Sequence, residues 1–191
     1  MSRVAIVSEL FHNPPIEQCI DDFLIDPILV ESDKRYCLFP LEYPTMYELW
    51  QSAVNTFWNP QEIHLKKDLQ DWMKLTADEQ FYIKYTLAFF ASSDNIVAEN
   101  IFSRFSTEIQ VPEIRTFYAM QLAQESIHTV TYNMLIEGFV SNLEERKKLF
   151  LAIRTHEMIK QKPAWAFKWI TNVAPFAKRL GAFAIVEMIF F

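Results

Sequence analysis

Two long stretches of helical periodicity, separated by one proline, dominate the middle of this chain. The first runs from Ala77 to Glu108 and opens on Thr76-Ala77-Asp78-Glu79, a capping box that satisfies the free amides of a first turn. Pro112 breaks the pattern and suits the first turn of a second helix, which Gly138 closes near its natural end. Two helices joined so closely must fold back on each other as an antiparallel hairpin. Only two glycines in 191 residues, with 51% hydrophobic and 15% aromatic content, leave no supply of the turns that sheets require. The expectation is an all-α fold with a substantial core.

The hairpin carries polar groups where apolar ones belong. Leu87, Phe90, Val97 and Ile101 form one stripe of the first helix, and Asp94 sits in the middle of it. An ionised carboxylate on an apolar face is costly unless it is paired or bound to a cation. Glu99 points away from the stripe and reads as solvated. On the second helix, Glu125, His128 and Tyr132 are spaced three and four apart and therefore share a face. Asp94 lies about 14 residues before the turn and Glu125 about 13 after it, so at ~1.5 Å per residue both stand roughly 20 Å up their helices. In the last segment Leu180, Phe183, Glu187 and Phe191 fall on one face, and Glu187 interrupts the apolar run as Asp94 does.

A lone Glu-x-x-His is also what a satisfied core or surface histidine looks like, and either acid alone could be a hydrogen-bonded core carboxylate. Three carboxylates and a histidine together form the ligand chemistry of zinc, iron or manganese. Carboxylates and Glu-x-x-His pairs projecting inward from facing helices resemble the ferritin-like di-metal bundles.

The remaining sequence frames that core. Residues 1–40 read as an irregular N-terminal arm punctuated by Pro14, Pro15, Pro27 and Pro40, and residues 41–191 as the helical domain. Thr45 to Trp58 has helical spacing, stopped by Asn59-Pro60. Ser141-Asn142-Leu143-Glu144 opens a short charged helix, Trp165 and Trp169 mark another after Pro163, and Pro175 starts the last, for about six helices in all. His64 and His156 lie in charged surroundings and are expected to be exposed rather than ligating. Glu9 and His12 form a second Glu-x-x-His, but Asn13-Pro14-Pro15 follows at once and no amphipathic helix surrounds it.

Several function classes are disfavoured. A formal net charge of −6 without a dense basic run argues against nucleic-acid binding. With two glycines there is no phosphate-binding loop or nucleophile elbow. Cys19 and Cys37 are too few for a disulfide framework, so a reducing, cytoplasmic location is expected. No stretch approaches the ~18 apolar residues of a membrane span, and Met1 to His12 is not a signal peptide.

From about Tyr36 onward the chain resembles the small, radical-generating subunit of class I ribonucleotide reductase. The similarity rests on Leu38-Phe39-Pro40, Phe57-Trp58 with Glu62, Leu87 through Val97 with Glu99-Asn100, and Glu125-x-x-His128-x-x-x-Tyr132. Lys162-x-x-Trp165 and Ala184-Ile185-Val186-Glu187-x-Ile189-Phe190-Phe191 extend it. The resemblance implies a di-iron centre, with manganese as the other candidate metal. Asp94, Glu125 and His128 would ligate one iron, Glu125 would reach toward the second, and Glu187 would ligate that second ion. It further implies Tyr132 as the radical residue, Trp58 as an electron-transfer residue and Phe191 as part of an apolar pocket around the radical. Its expected partners are the large reductase subunit, which would bind the nucleotide, and a second copy in a homodimer. Members of that family continue with another Glu-x-x-His and a tail that binds the large subunit. This chain ends at Phe191 inside an apolar helical pattern, and pattern and length favour a fragment over a natural truncation. Two other readings stay open: a two-electron di-metal oxidase with Tyr132 a bystander, and a metal-free interaction protein.

Overall fold

The computed structural model describes residues 26–190. Glu9, His12, Cys19 and Phe191, with most of the expected N-terminal arm, lie outside these residues. Among the described residues there are helices and turns but no strand. Helix α1 spans Pro44–Asn55, α2 Leu65–Trp72, α3 Ala77–Asn100, α4 Pro112–Phe139, α5 Leu143–Phe150, α6 Ala152–Thr155, α7 Glu157–Ile170 and α8 Phe176–Ile185.

The central hairpin forms as the sequence requires. Thr76 and Glu79 close both halves of the capping box at the start of α3. The helix continues past Asn100 through a π-helical turn, Ile101–Phe105, into a last turn at Ser106–Glu108. Pro112 occupies the first turn of α4, where its missing N–H costs nothing. Antiparallel packing follows from the side-chain pairs. Phe105 meets Tyr118 near the turn, with ring centroids 5.3 Å apart, while Phe90 stacks on Tyr132 at 5.4 Å further up.

Two apolar clusters fill the bundle. One gathers Ile96, Val97, Ile101, Phe105, Tyr118, Phe176 and Val186 around the hairpin turn. The other joins Ala88, Ala91, Ile136, Val140, Leu149, Ala152 and Ile159 toward the opposite end. Asp94 falls between the two sets along α3, and Glu125 falls between them along α4. A polar layer holding Asp94 and Glu125 is therefore sandwiched between two hydrophobic ones.

Elsewhere the structure revises the sequence expectations. Helix α1 ends at Asn55, so Trp58 lies in the link beyond it and not in the helix. Asn59 and Glu62 explain the stop, forming a capping box around the 3-10 turn Pro60–Glu62. Helix α2 had no clear signal because five of its eight residues are polar, with only Leu65, Leu69 and Trp72 apolar at wide spacing, and its anchor is tertiary. Trp72 is buried and stacks on Phe139 at 4.7 Å. The four-residue α6 was also unforeseen, and Ala152 buries it in the second cluster.

Gly138 lies within α4, one residue before its end, and has no positive φ. Its value is close approach, since a Cβ there would meet Leu65 Cδ1 at 3.2 Å. Helix α7 starts at Glu157 and runs through Pro163 rather than after it. His156 is half-buried, its ring 4.7 Å from Tyr85, and its Nδ1 is buried without a hydrogen-bond partner. His64 is exposed as expected. Of the face expected on the last helix, Phe183 packs on Phe105 and Tyr118 and Glu187 is part-buried, but Leu180 is exposed and Phe176, Arg179 and Ala182 are the buried residues of α8. Arg179 decides the phase by donating to both carboxylate oxygens of Glu108 and to the Ala174 carbonyl at 2.9 Å. No helix among the described residues is long and apolar enough to cross a membrane.

Candidate metal centre

Helices α3 and α4 bring Asp94, Glu125 and His128 together. One donor atom from each lies within 4.8 Å of the other two. His128 Nδ1 is 3.2 Å from Glu125 Oε2 and 3.6 Å from Asp94 Oδ2. Asp94 and Glu125 are buried at 4% and 8% exposure, whereas the His128 side chain is 34% exposed, so the group opens to one side. Glu99, one turn past Asp94, is exposed as its position off the stripe requires.

Glu187 comes from a third element, beyond the hairpin. It sits in a π-helical turn, Val186–Phe190, that extends α8. The wider turn rotates residues relative to an α-helix, and such turns recur at functional sites. Glu187 accepts a hydrogen bond from Gln121 Nε2 at 2.7 Å. It is outside the group of three closest donors, yet near enough for Glu125 to disfavour its ionisation.

The electrostatics of the cluster favour a cation. Burial, reinforced by the Glu125 charge, pushes the Asp94 carboxyl up to about 7. Burial and Glu125 also push Glu187 up to about 7, against the opposing influence of Gln121 and His128. The Glu125 hydrogen bond raises His128 above its ordinary value, with burial working the other way. Several carboxylates crowded into low dielectric cannot all ionise near neutrality without added positive charge. A divalent cation supplies that charge and takes carboxylate and imidazole donors, so the residues present fit a metal.

The aromatic surroundings are equally ordered. Tyr132, one turn above His128, is half-buried with its ring 6.4 Å from the imidazole and stacked on Phe90. Burial, then the charges of Asp94 and Glu125, raise its phenol above the ordinary tyrosine value. Trp58 lies over His128 with centroids 5.9 Å apart and planes 28° apart. The loop conformation makes that overlap possible, because the segment leaves α1 and crosses α4 before the Pro60 turn.

Residues 35–191 match the sequence profile of the family described as ribonucleotide reductase, small chain. This chain belongs to that family. A ribonucleoside-diphosphate reductase small chain from Swinepox virus is 47% identical over 87% of this chain and 61% of its own length. The corresponding protein of Nicotiana tabacum is 43% identical over 87% of this chain and 50% of its own. The structure of the ribonucleotide reductase Rnr4 homodimer from Saccharomyces cerevisiae superposes with a TM-score of 0.76 at 35% identity, covering 85% of this chain and 52% of that one. The chain thus spans about half to three fifths of the length of these relatives. The fold class is all-α and ferritin-like, as the sequence implied.

Sequence reasoning singled out Asp94, Glu125, His128 and Glu187, and all four surround one region of the bundle. It missed Gln121. The available signal was a polar side chain one turn before Glu125, on the same face of α4.

Proposed function

We propose that this chain is part of the radical-generating small subunit of a ribonucleoside-diphosphate reductase. The observation that carries the reading is the convergence of Asp94, Glu125 and His128, with Tyr132 a turn away and Trp58 over the imidazole. Asp94, Glu125 and His128 would hold one iron, and Glu125 with Glu187 would serve the second. When bound, the metal pair supplies oxygen activation and one-electron oxidising power.

The protein's own residues do the rest. The raised phenol keeps its proton on Tyr132 Oη at neutral pH, so oxidation of the ring to a stable radical must remove the proton with the electron. Phe90 covers one face of that ring and helps keep water and reductants from it. Trp58 offers an aromatic surface adjoining His128, suited to carrying an electron between the centre and the outside of the bundle. The large reductase subunit would bind the nucleotide and replace its ribose 2′-hydroxyl with hydrogen, using the radical delivered from here. The homodimeric state of the yeast relative supports pairing of two such chains, and the free, exposed Cys37 accords with a reducing cytoplasm.

The test is Tyr132→Phe in the intact protein. Phenylalanine keeps the volume and removes only the oxidisable hydroxyl. Metal content should be retained while the organic radical seen by electron paramagnetic resonance and the deoxyribonucleotide-forming activity are both lost. A radical signal unchanged by the substitution would exclude Tyr132. A loaded wild-type protein that consumes oxygen but never shows a radical would replace this reading with that of a di-metal oxidase.

A further inference from the structure

Glu187 is held differently from the other acids of the cluster. Asp94 and Glu125 project from the long hairpin helices, whose geometry is set by the capping box of α3, the Pro112 start of α4 and two apolar clusters. Glu187 projects from a five-residue π-helical turn at the end of a shorter helix. Val186 before it is buried in the first apolar cluster, whereas Met188 and Ile189 after it are 82% and 70% exposed, so the turn is anchored on one side of Glu187 and open on the other. One polar contact spans from this turn to the hairpin at the carboxylate, the 2.7 Å bond from Gln121 Nε2 to Glu187 Oε1. No other hydrogen bond reaches the Glu187 carboxylate among the described residues, and Oε2 is left free.

Carboxylates accept and do not donate when ionised, so the amide nitrogen of Gln121 must face Oε1 and its oxygen must point away. Gln121 lies one turn before Glu125 on the same face of α4, so the amide is referenced to the same rigid element as Glu125 and His128. We infer that Gln121 is a positioning residue for the second metal position, fixing the Glu187 carboxylate with one oxygen occupied and the other available to a divalent cation. The inference rests on the metal-centre reading proposed above. Residues that orient a ligand in this way typically change metal affinity by roughly 10- to 100-fold when removed.

The experiment uses manganese(II) as the probe in the intact protein and compares Gln121→Met, Glu187→Gln and the double variant with the wild type. Methionine keeps the length of glutamine and removes the donor. Two ions bound per chain in the wild type, with an exchange-coupled paramagnetic spectrum, are expected. Gln121→Met should keep the first ion, weaken the second by roughly 10- to 100-fold in chelator competition, and convert the coupled spectrum to the six-line signal of an isolated ion. If Gln121 acts through Glu187, the double variant should lose no more affinity than Glu187→Gln alone. Additive losses, or a loss of both ions in Gln121→Met, would show a general structural role and overturn the inference. Unchanged second-ion affinity in Gln121→Met would overturn it while leaving the metal centre standing. A wild-type protein that binds no manganese and no iron would remove the centre and the inference together.

Discussion

Asp94 shows how one misplaced residue announces a site. A 4% exposed carboxylate between two hydrophobic clusters is unfavourable in isolation; the neighbouring Glu125 adds to that cost, His128 offsets part of it, and a bound cation would offset the rest. Replacing Asp94, Glu125, His128 or Glu187 by alanine is therefore expected to lower metal content, whereas Glu99→Ala, on the exposed side of the same helix, should leave it unchanged. Elemental analysis of the purified variants checks this directly, and equal iron after Glu125→Ala would exclude the centre. Gln121 and Arg179 illustrate residues whose roles depend on a distant partner. Each is an ordinary polar side chain on its own helix until Glu187 or Glu108 is brought against it.

At the level of elements, helix ends are secured in two ways with different consequences. Thr76 and Glu79 cap α3 locally. The start of α1 has no side-chain cap of its own, and Glu113, buried at 2% exposure on α4, accepts from the Glu42 amide at 2.6 Å and the Tyr43 amide at 3.0 Å. Burial acts against that charge, but bonds from the Tyr43, Glu113 and Glu42 amides hold the carboxyl below its ordinary value. Thr76→Ala should cost about 1 kcal/mol. Glu113→Ala should cost roughly 2 kcal/mol, because charge-assisted bonds are lost. Hydrogen exchange separates the two mechanisms, since Glu113→Ala should speed exchange at residues 42–47 and Thr76→Ala should not. Equal protection of α1 in both variants would show that its start is held by packing alone.

For the whole molecule, the cluster makes stability in the absence of metal depend on pH. Asp94 and Glu187 have folded values of about 7 against ordinary values of 3.8 and 4.5. Folding thus favours their protonated forms, and the associated stability is present at low pH and lost as pH rises through about 7. His128, also raised, loses its contribution in the same direction as pH rises through its folded value. Glu113 is opposite in sign, and its contribution is complete above the ordinary carboxylate range. Chelator-treated protein should therefore melt at a lower temperature near about pH 8 than near about pH 5.5, and added divalent metal should recover most of the loss at the higher pH. A melting temperature in chelator that is flat or rising over that interval would contradict the uncompensated cluster.

The sequence alone determined the hairpin and the residues of the polar layer. Helix signals at Thr76 and Pro112 are local, and the positions of Asp94, Glu125, His128 and Tyr132 on a face follow from 3.6 residues per turn. The family motifs carried the radical and electron-transfer expectations for Tyr132 and Trp58. Only tertiary structure could decide the rest, because it depends on contacts between residues far apart in the chain. Helix α2 is anchored by Trp72 on Phe139, Gly138 is shaped by Leu65, and the phase of α8 is set by Arg179 reaching Glu108. Trp58 reaches His128 because α1 ends early. Local periodicity reports which face a side chain occupies, while the identity of what lies opposite is fixed by packing that no window of sequence contains.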